Sequence, residues 1–144
     1  MIRSAFVVAG LLVGLTAVLA QSDPIAERKT AMKAVGAATG LGAKFAKGEE
    51  AYDAAKAQGI FKVYIDSAKT VPALFPATSK TGGETTASPK VWDDAAGFKA
   101  AFVKFEADAT AAAAATTDLA SFRTAFGNVT RNCGSCHEVY RIKR

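Results

Sequence analysis

Apolar residues recur along this chain at spacings of three and four, the period of an α-helix with one buried face. The pattern is clearest near the C-terminus, where Leu119, Phe122, Phe126, Val129, Cys133, Cys136 and Tyr140 step by three or four throughout. Before it, Val91, Ala95, Phe98, Phe102, Phe105 and Ala109 form a second stripe, with Trp92 beside it. Two earlier stripes are broader. Ile25, Met32, Val35 and Thr39 share one face; Ala57, Ile60, Tyr64 and Val71 share another, widened by Phe61, Ile65 and Ala68. No stretch shows the alternation of a half-buried strand.

End signals divide these stripes into four helices. Ser22-Asp23-Pro24 offers a capping side chain and then proline at the first helical position. A helix is predicted from Pro24 to about Lys47, where Gly48 ends it. Gly36, Gly40 and Gly42 weaken it by about 1 kcal/mol each relative to alanine. They read as places where a flat object or another helix comes close. The second helix is expected from near Glu49 to about Val71, stopping before Pro72. Residues 72–90 hold Pro72, Pro76, Pro89, Gly82 and Gly83, and form a long connection with Leu74 and Phe75 tucked into the core. Ser88-Pro89 repeats the capping signal and opens a third helix that fades at Thr116-Thr117. Asp118 caps the fourth. The expected fold class is all-α: an antiparallel four-helix bundle with a long connection between helices 2 and 3.

Composition sharpens this picture in two ways. The chain has 144 residues, half of them apolar, and a net charge of +5. That suffices for one domain with a sizeable core. The positive charges are scattered, so no nucleic-acid partner is expected; the surface has a mild preference for acidic partners. The first twenty residues read as a signal peptide: Arg3, then an apolar run from Ala5 to Ala20 too short for a membrane span, then Val18-Leu19-Ala20. Cleavage before Gln21 leaves a domain of residues 21–144, exported to the periplasm and carrying one positive charge fewer. An uncleaved anchor is the alternative. No second run is long enough to span a bilayer.

The chemistry sits in Cys133-Gly134-Ser135-Cys136-His137. CxxCH is the attachment site of a c-type haem. Two thiols three apart on a helix face one way and can both reach one macrocycle edge, forming thioethers with its vinyl groups. His137, one turn past Cys133, can aim its imidazole at the iron. Export fits, because c-type haem is attached outside the bacterial cytoplasm. Rival readings fare worse. A thioredoxin-type pair belongs in a βαβ setting. A tetrahedral zinc site needs four ligands, and the chain holds two cysteines and one histidine in all. A Cys133–Cys136 disulfide in a haem-free helical protein stays open. Because the cysteines continue the core stripe, the haem is expected inside the bundle.

The chain resembles the cytochrome c′ family across the whole segment after residue 20. The resemblance rests on CxxCH in the last helix, Arg28-x-x-x-Met32 in the first, and Leu74-Phe75-Pro76. It extends to Thr81-Gly82-Gly83-Glu84-Thr85, Pro89-Lys90-Val91-Trp92 and Tyr140-Arg141. It implies one covalent haem c with His137 as proximal iron ligand. It implies Arg28 paired with a haem propionate, and Lys29 and Glu84 at the haem edge. For both of those a solvated charge is the bland reading. Arg141, four residues after His137 and expected on its face, would line the proximal pocket; a cation favoured by the helix dipole is the equal alternative. Met32 falls at the distal position, opposite His137. In cytochrome c′ proper an apolar side chain there crowds the sixth position without bonding, leaving five-coordinate high-spin iron open to nitric oxide or carbon monoxide. In low-spin relatives a methionine there is the sixth ligand, and the protein is an electron carrier. The first reading is preferred, on Arg28 and the Thr-Gly-Gly-Glu-Thr loop. No enzymatic turnover is expected. The redox partner is not legible, nor whether the chain forms the homodimer through the first two helices that is common in the family.

Overall fold

The computed structural model describes residues 23–143. The expected signal segment and its cleavage point before Gln21 lie outside them. Helix α1 runs Pro24–Lys47. Asp23 caps it, its carboxylate accepting the Ile25 N–H at 2.9 Å. Gly48 closes it in the left-handed region (φ 76°), sending its N–H back to the carbonyls of Lys44 and Phe45. Glycine adopts that conformation without steric cost.

Helix α2 is Ala54–Thr70 and begins later than expected from Glu49. The Asp53 carboxylate accepts the Lys56 N–H at 2.9 Å and fixes the start, so Glu49 and Glu50 stay in the turn before it. Two 3-10 turns follow, Val71–Leu74 and Ala77–Ser79. The expected third helix is two. A single turn, α3 (Lys90–Asp93), breaks at Asp94 before α4 (Ala95–Ala115). Ser88 does not cap α3 with its side chain; its hydroxyl donates to the Val139 carbonyl instead. Asp94 takes the capping role for α4, accepting the Gly97 N–H at 3.1 Å. Ala95, at the break, is exposed rather than inward. Helix α5 (Leu119–Tyr140) opens with a reciprocal capping box between Asp118 and Ser121.

The long helices form a ring in which α1 packs on α2, α2 on α4, α4 on α5 and α5 on α1. Neighbours run antiparallel. Gln58, early in α2, donates to the carbonyls of Ala113 and Thr116 at the end of α4. Arg123, early in α5, donates to the Ala46 carbonyl at the end of α1, at 2.8 Å. At Gly42 a Cβ would stand 2.3 Å from the Phe126 ring, so glycine lets α1 and α5 close together there. Gly40 meets nothing comparable, and the structure gives no reason for it.

One end of the bundle is solid. Phe45, Tyr52, Phe61 and Phe122 pack there with ring centroids 5.7 to 6.0 Å apart. The other end gathers the start of α1, the end of α5 and the 71–94 connection. Phe75 from that connection packs edge-on to Phe98 and Trp92, and Trp92 donates its indole N–H to the Phe75 carbonyl at 2.9 Å. This end is hollow. Among the described residues no helix is long and apolar enough to cross a membrane.

Candidate functional site

The hollow end encloses a cavity of about 560 Å³. Four parts of the chain wall it. Helix α5 contributes Cys133, Cys136, His137 and Tyr140, with Arg141 just past its end. Helix α1 contributes Arg28, Lys29, Met32, Val35 and Thr39. The connection supplies Phe75 and residues 84–87, and α4 supplies Phe98 and Phe102. All eight candidate residues from the sequence line it. A smaller apolar recess of about 80 Å³ shares Met32, Cys133, Cys136 and His137 with it.

Burial follows from this placement. Met32 belongs to the α1 stripe but is 37 % exposed, because its side chain faces the cavity and not packed atoms. Cys133 and Cys136 are half-buried, and no disulfide joins them. Burial raises both thiol pKa values, and the neighbouring thiol adds to the rise at Cys136. Burial therefore favours the protonated thiol at both positions. The His137 pKa is lowered, first by burial and then by the Arg141 cation. The neutral imidazole is thus favoured, and that is the form whose ring nitrogen can donate to a metal. Among the described residues no three His, Cys, Asp or Glu side chains converge on one point. A group that brings its own four equatorial nitrogens needs only one such donor, with two thiols beside it to hold its edge.

Arg28 tests the fit from another side. It is 5 % exposed, and no carboxylate lies within ion-pair distance of it among the described residues. Its guanidinium lies 4.4 Å from the centre of the Phe75 ring and donates only to neutral acceptors of Ser79, both at 3.3 Å. Burial lowers its pKa, while Asp23 partly offsets this. An isolated buried cation is costly. One that faces a cavity suits a ligand carrying carboxylates.

The remaining candidates sit at the mouth. Lys29 and Glu84, both exposed, pair with each other at 3.9 Å. A pair of this kind contributes about 0–1 kcal/mol, so it orders the rim weakly. Arg141 reaches the cavity by a different route than expected. The helix ends at Tyr140, and Arg141 is extended, bridged to Ala87. The Ile142 N–H donates to the Thr86 carbonyl at 2.8 Å and the Ser88 N–H to the Tyr140 carbonyl at 2.9 Å. Arg141 and His137 meet at the cavity through this bridge and not through a shared helical face.

Three supporting contacts carry no sequence signal. Ser79 holds Arg28. The Thr39 and Tyr64 hydroxyls meet at 2.8 Å. The Tyr140 hydroxyl donates to Asp94 at 3.0 Å, tying the end of α5 to the start of α4. Each joins residues far apart in the chain, which neither periodicity nor a local motif reveals.

Residues 23–141 match the family model described as Cytochrome C'. A cytochrome c′ of Rhodopseudomonas palustris is 46 % identical over 138 residues, 95 % of this chain and 94 % of its own length. A solved structure of cytochrome c′ from that organism superposes with a TM-score of 0.83, covering 86 % of this chain and 99 % of the other. A cytochrome c-556 of Agrobacterium fabrum is 36 % identical over 121 residues, 83 % of this chain and 82 % of its own. A nitric oxide complex of a variant cytochrome c′ from Alcaligenes xylosoxidans superposes with a TM-score of 0.73 at 30 % identity, covering 83 % and 94 %. The hollow bundle, its paired cysteines and these likenesses agree: the chain belongs to the cytochrome c′ family, four-helix-bundle electron-transport proteins that carry one covalently bound haem c.

Proposed function

We propose that this is a periplasmic, gas-binding cytochrome c′ with a five-coordinate high-spin iron, able also to carry single electrons. Residues 1–20 direct export and are removed before Gln21. Cys133 and Cys136 form the two thioethers. His137 would hold the iron through a ring nitrogen, its neutral form favoured by burial and by Arg141. Met32 stands on the distal wall and screens the sixth position with an apolar thioether. Arg28 meets a propionate, and Lys29, Glu84 and Arg141 border the opening. Bound there, haem c supplies an iron that cycles between ferrous and ferric and takes a diatomic ligand such as nitric oxide or carbon monoxide. The apolar walls of Val35, Phe98 and Phe102 exclude water and bulky anions, which leaves small neutral gases as the competent ligands. The role is binding and electron transfer without turnover.

The carrying observation is the donor inventory of the cavity. His137 is the chain's one histidine, and the α1 wall facing it offers a single sulfur, that of Met32. The sixth position is therefore either open behind Met32 or bonded to it. Likeness to the 46 % identical cytochrome c′ supports the open form, as does the nitric oxide complex of a relative. The half-exposed thioether facing the cavity favours a second reading, a low-spin electron carrier with Met32 as sixth ligand.

Spectroscopy of the purified ferric and ferrous protein separates the two. The expected result is high-spin spectra in both states, a carbon monoxide adduct of the ferrous form, and the same spin state in Met32→Ala. A six-coordinate low-spin spectrum lost in Met32→Ala, with no carbon monoxide adduct, would reject the gas-binding function.

A further inference from the structure

We propose that Ser79 is a positioning residue: acting through Arg28, it fixes the positive charge that faces the haem carboxylates and so helps set the reduction potential. This rests on the reading that Arg28 meets a haem propionate.

Ser79 does not line the cavity, yet it is 4 % exposed. Its hydroxyl donates to the Pro76 carbonyl at 2.9 Å, and its N–H donates to the same carbonyl at 2.9 Å. The only hydroxyl proton is thereby used. What Oγ presents to Arg28 is a lone pair, an acceptor that cannot be exchanged for a donor. Arg28 Nη1 donates to that oxygen and Nη2 to the Ser79 carbonyl, each at 3.3 Å. Both ends of the guanidinium fork are thus held by one residue. The Phe75 ring supports its face at 4.4 Å, and Phe75 is itself anchored by the indole N–H of Trp92.

A guanidinium has five N–H groups. Two go to Ser79, and the rest have no partner among the described residues, so they are free to serve a carboxylate in the cavity. An arginine side chain otherwise gives up rotamer entropy when it is ordered. The turn at residues 76–79 orders it before any carboxylate arrives.

The consequence is electrostatic. Reduction adds an electron to the haem, so a nearby fixed cation favours the ferrous state. A cation free to swing toward water favours it less. Arg28→Gln lowers the midpoint potential of the holoprotein, and Ser79→Ala lowers it by a smaller amount, because the Ser79 carbonyl still accepts from Arg28. In the Arg28→Gln background Ser79→Ala adds nothing; with Arg28 in place, Ser79→Thr, which keeps the acceptor, leaves the potential at its wild-type value. Should Ser79→Ala yield too little protein, Ser79→Cys replaces the oxygen with a weak acceptor of similar size and lowers the potential in the same direction.

Three results would overturn the proposal, and they differ. An unchanged potential in Ser79→Ala beside a lowered one in Arg28→Gln shows that Arg28 needs no support. An equal drop from Ser79→Ala with or without Arg28 shows a general effect on the fold. An unchanged potential in Arg28→Gln removes the propionate contact itself, and the proposal falls with it.

Discussion

The hydroxyl of Tyr64 is fully buried and is held 2.8 Å from that of Thr39. Burial is the larger influence on its ionisation and raises it. The hydrogen bond from Thr39 works the other way, and the net pKa is pushed up to about 12. An unfolded tyrosine ionises near 10. The fold therefore keeps the proton longer than the unfolded chain. The stability linked to Tyr64 is complete below about pH 10 and is lost as pH rises toward about 12, roughly 3 kcal/mol in all. Urea unfolding between pH 8 and 11.5 should show this decline, and Tyr64→Phe should flatten it. A decline equally steep in Tyr64→Phe would place the titrating group elsewhere. Gly42 gives a second test at this scale. Alanine there brings a Cβ to 2.3 Å from the Phe126 ring, and that ring is stacked on Phe122 at 5.3 Å. Overpacking of this kind costs about 1–3 kcal/mol, more than the gain of about 1 kcal/mol in helix propensity. Gly42→Ala should lower the thermal midpoint, whereas Gly40→Ala, which meets nothing, should raise or preserve it.

At the level of elements, Asp94 is the joint. One carboxylate oxygen caps α4 through Gly97, and the other accepts from Tyr140 near the end of α5. Loss of the cap costs about 1 kcal/mol and loss of the second bond about another. Asp94→Ala should therefore lose about 2 kcal/mol in urea unfolding, and Tyr140→Phe about half of that. The double variant should match Asp94→Ala within about 0.5 kcal/mol; full additivity would show that the two groups act independently. The break at Asp94 leaves no mark on the apolar spacing. Val91 and Phe98 stay seven residues apart on either side of it, a spacing that an unbroken helix shares. Periodicity reports which residues face inward and is blind to a single turn that changes direction. The start of α2 lies later than the sequence suggests for a related reason. Gly48 marks a stop clearly, but Asp53 rather than Glu49 supplies the capping carboxylate. By contrast, α1 begins and ends, and α5 begins, where their caps predict, because a cap is a local event between residues two or three apart; no such signal marks the end of α5 at Tyr140. The cavity wall was legible on the same terms. Cys133, Cys136 and His137 form a motif, and Arg28 and Met32 sit one helical turn apart. The Ser79 turn, the Arg141 bridge and the Asp94 tie span 46 to 54 residues, and nothing local encodes them.

The molecule as a whole is divided along its length. Interlocked aromatic rings fill one end, and only the walls of a cavity make up the other. Helices α1 and α5 cross this divide. Helix α5 has Phe122, Phe126 and Val129 packed in the solid half and Cys133, Cys136 and His137 open in the hollow half. Helix α1 has Phe45 fully buried at one end and Met32 exposed to the cavity near the other. Packed apolar atoms stabilise the first half whatever happens at the second, while a cavity of this size leaves its lining short of contacts. Covalent haem then acts as the missing core of the hollow half, not as a guest in a finished fold. Amide exchange tests this. In Cys133→Ala/Cys136→Ala, which cannot tether a haem, amides around Phe61 and Phe122 should remain slow. Those around Arg28, Met32 and His137 should exchange roughly a hundredfold faster than in the holoprotein, through opening of that end alone. Equal acceleration at both ends would mean that the bundle is a single cooperative unit, with the aromatic end unable to stand without its haem.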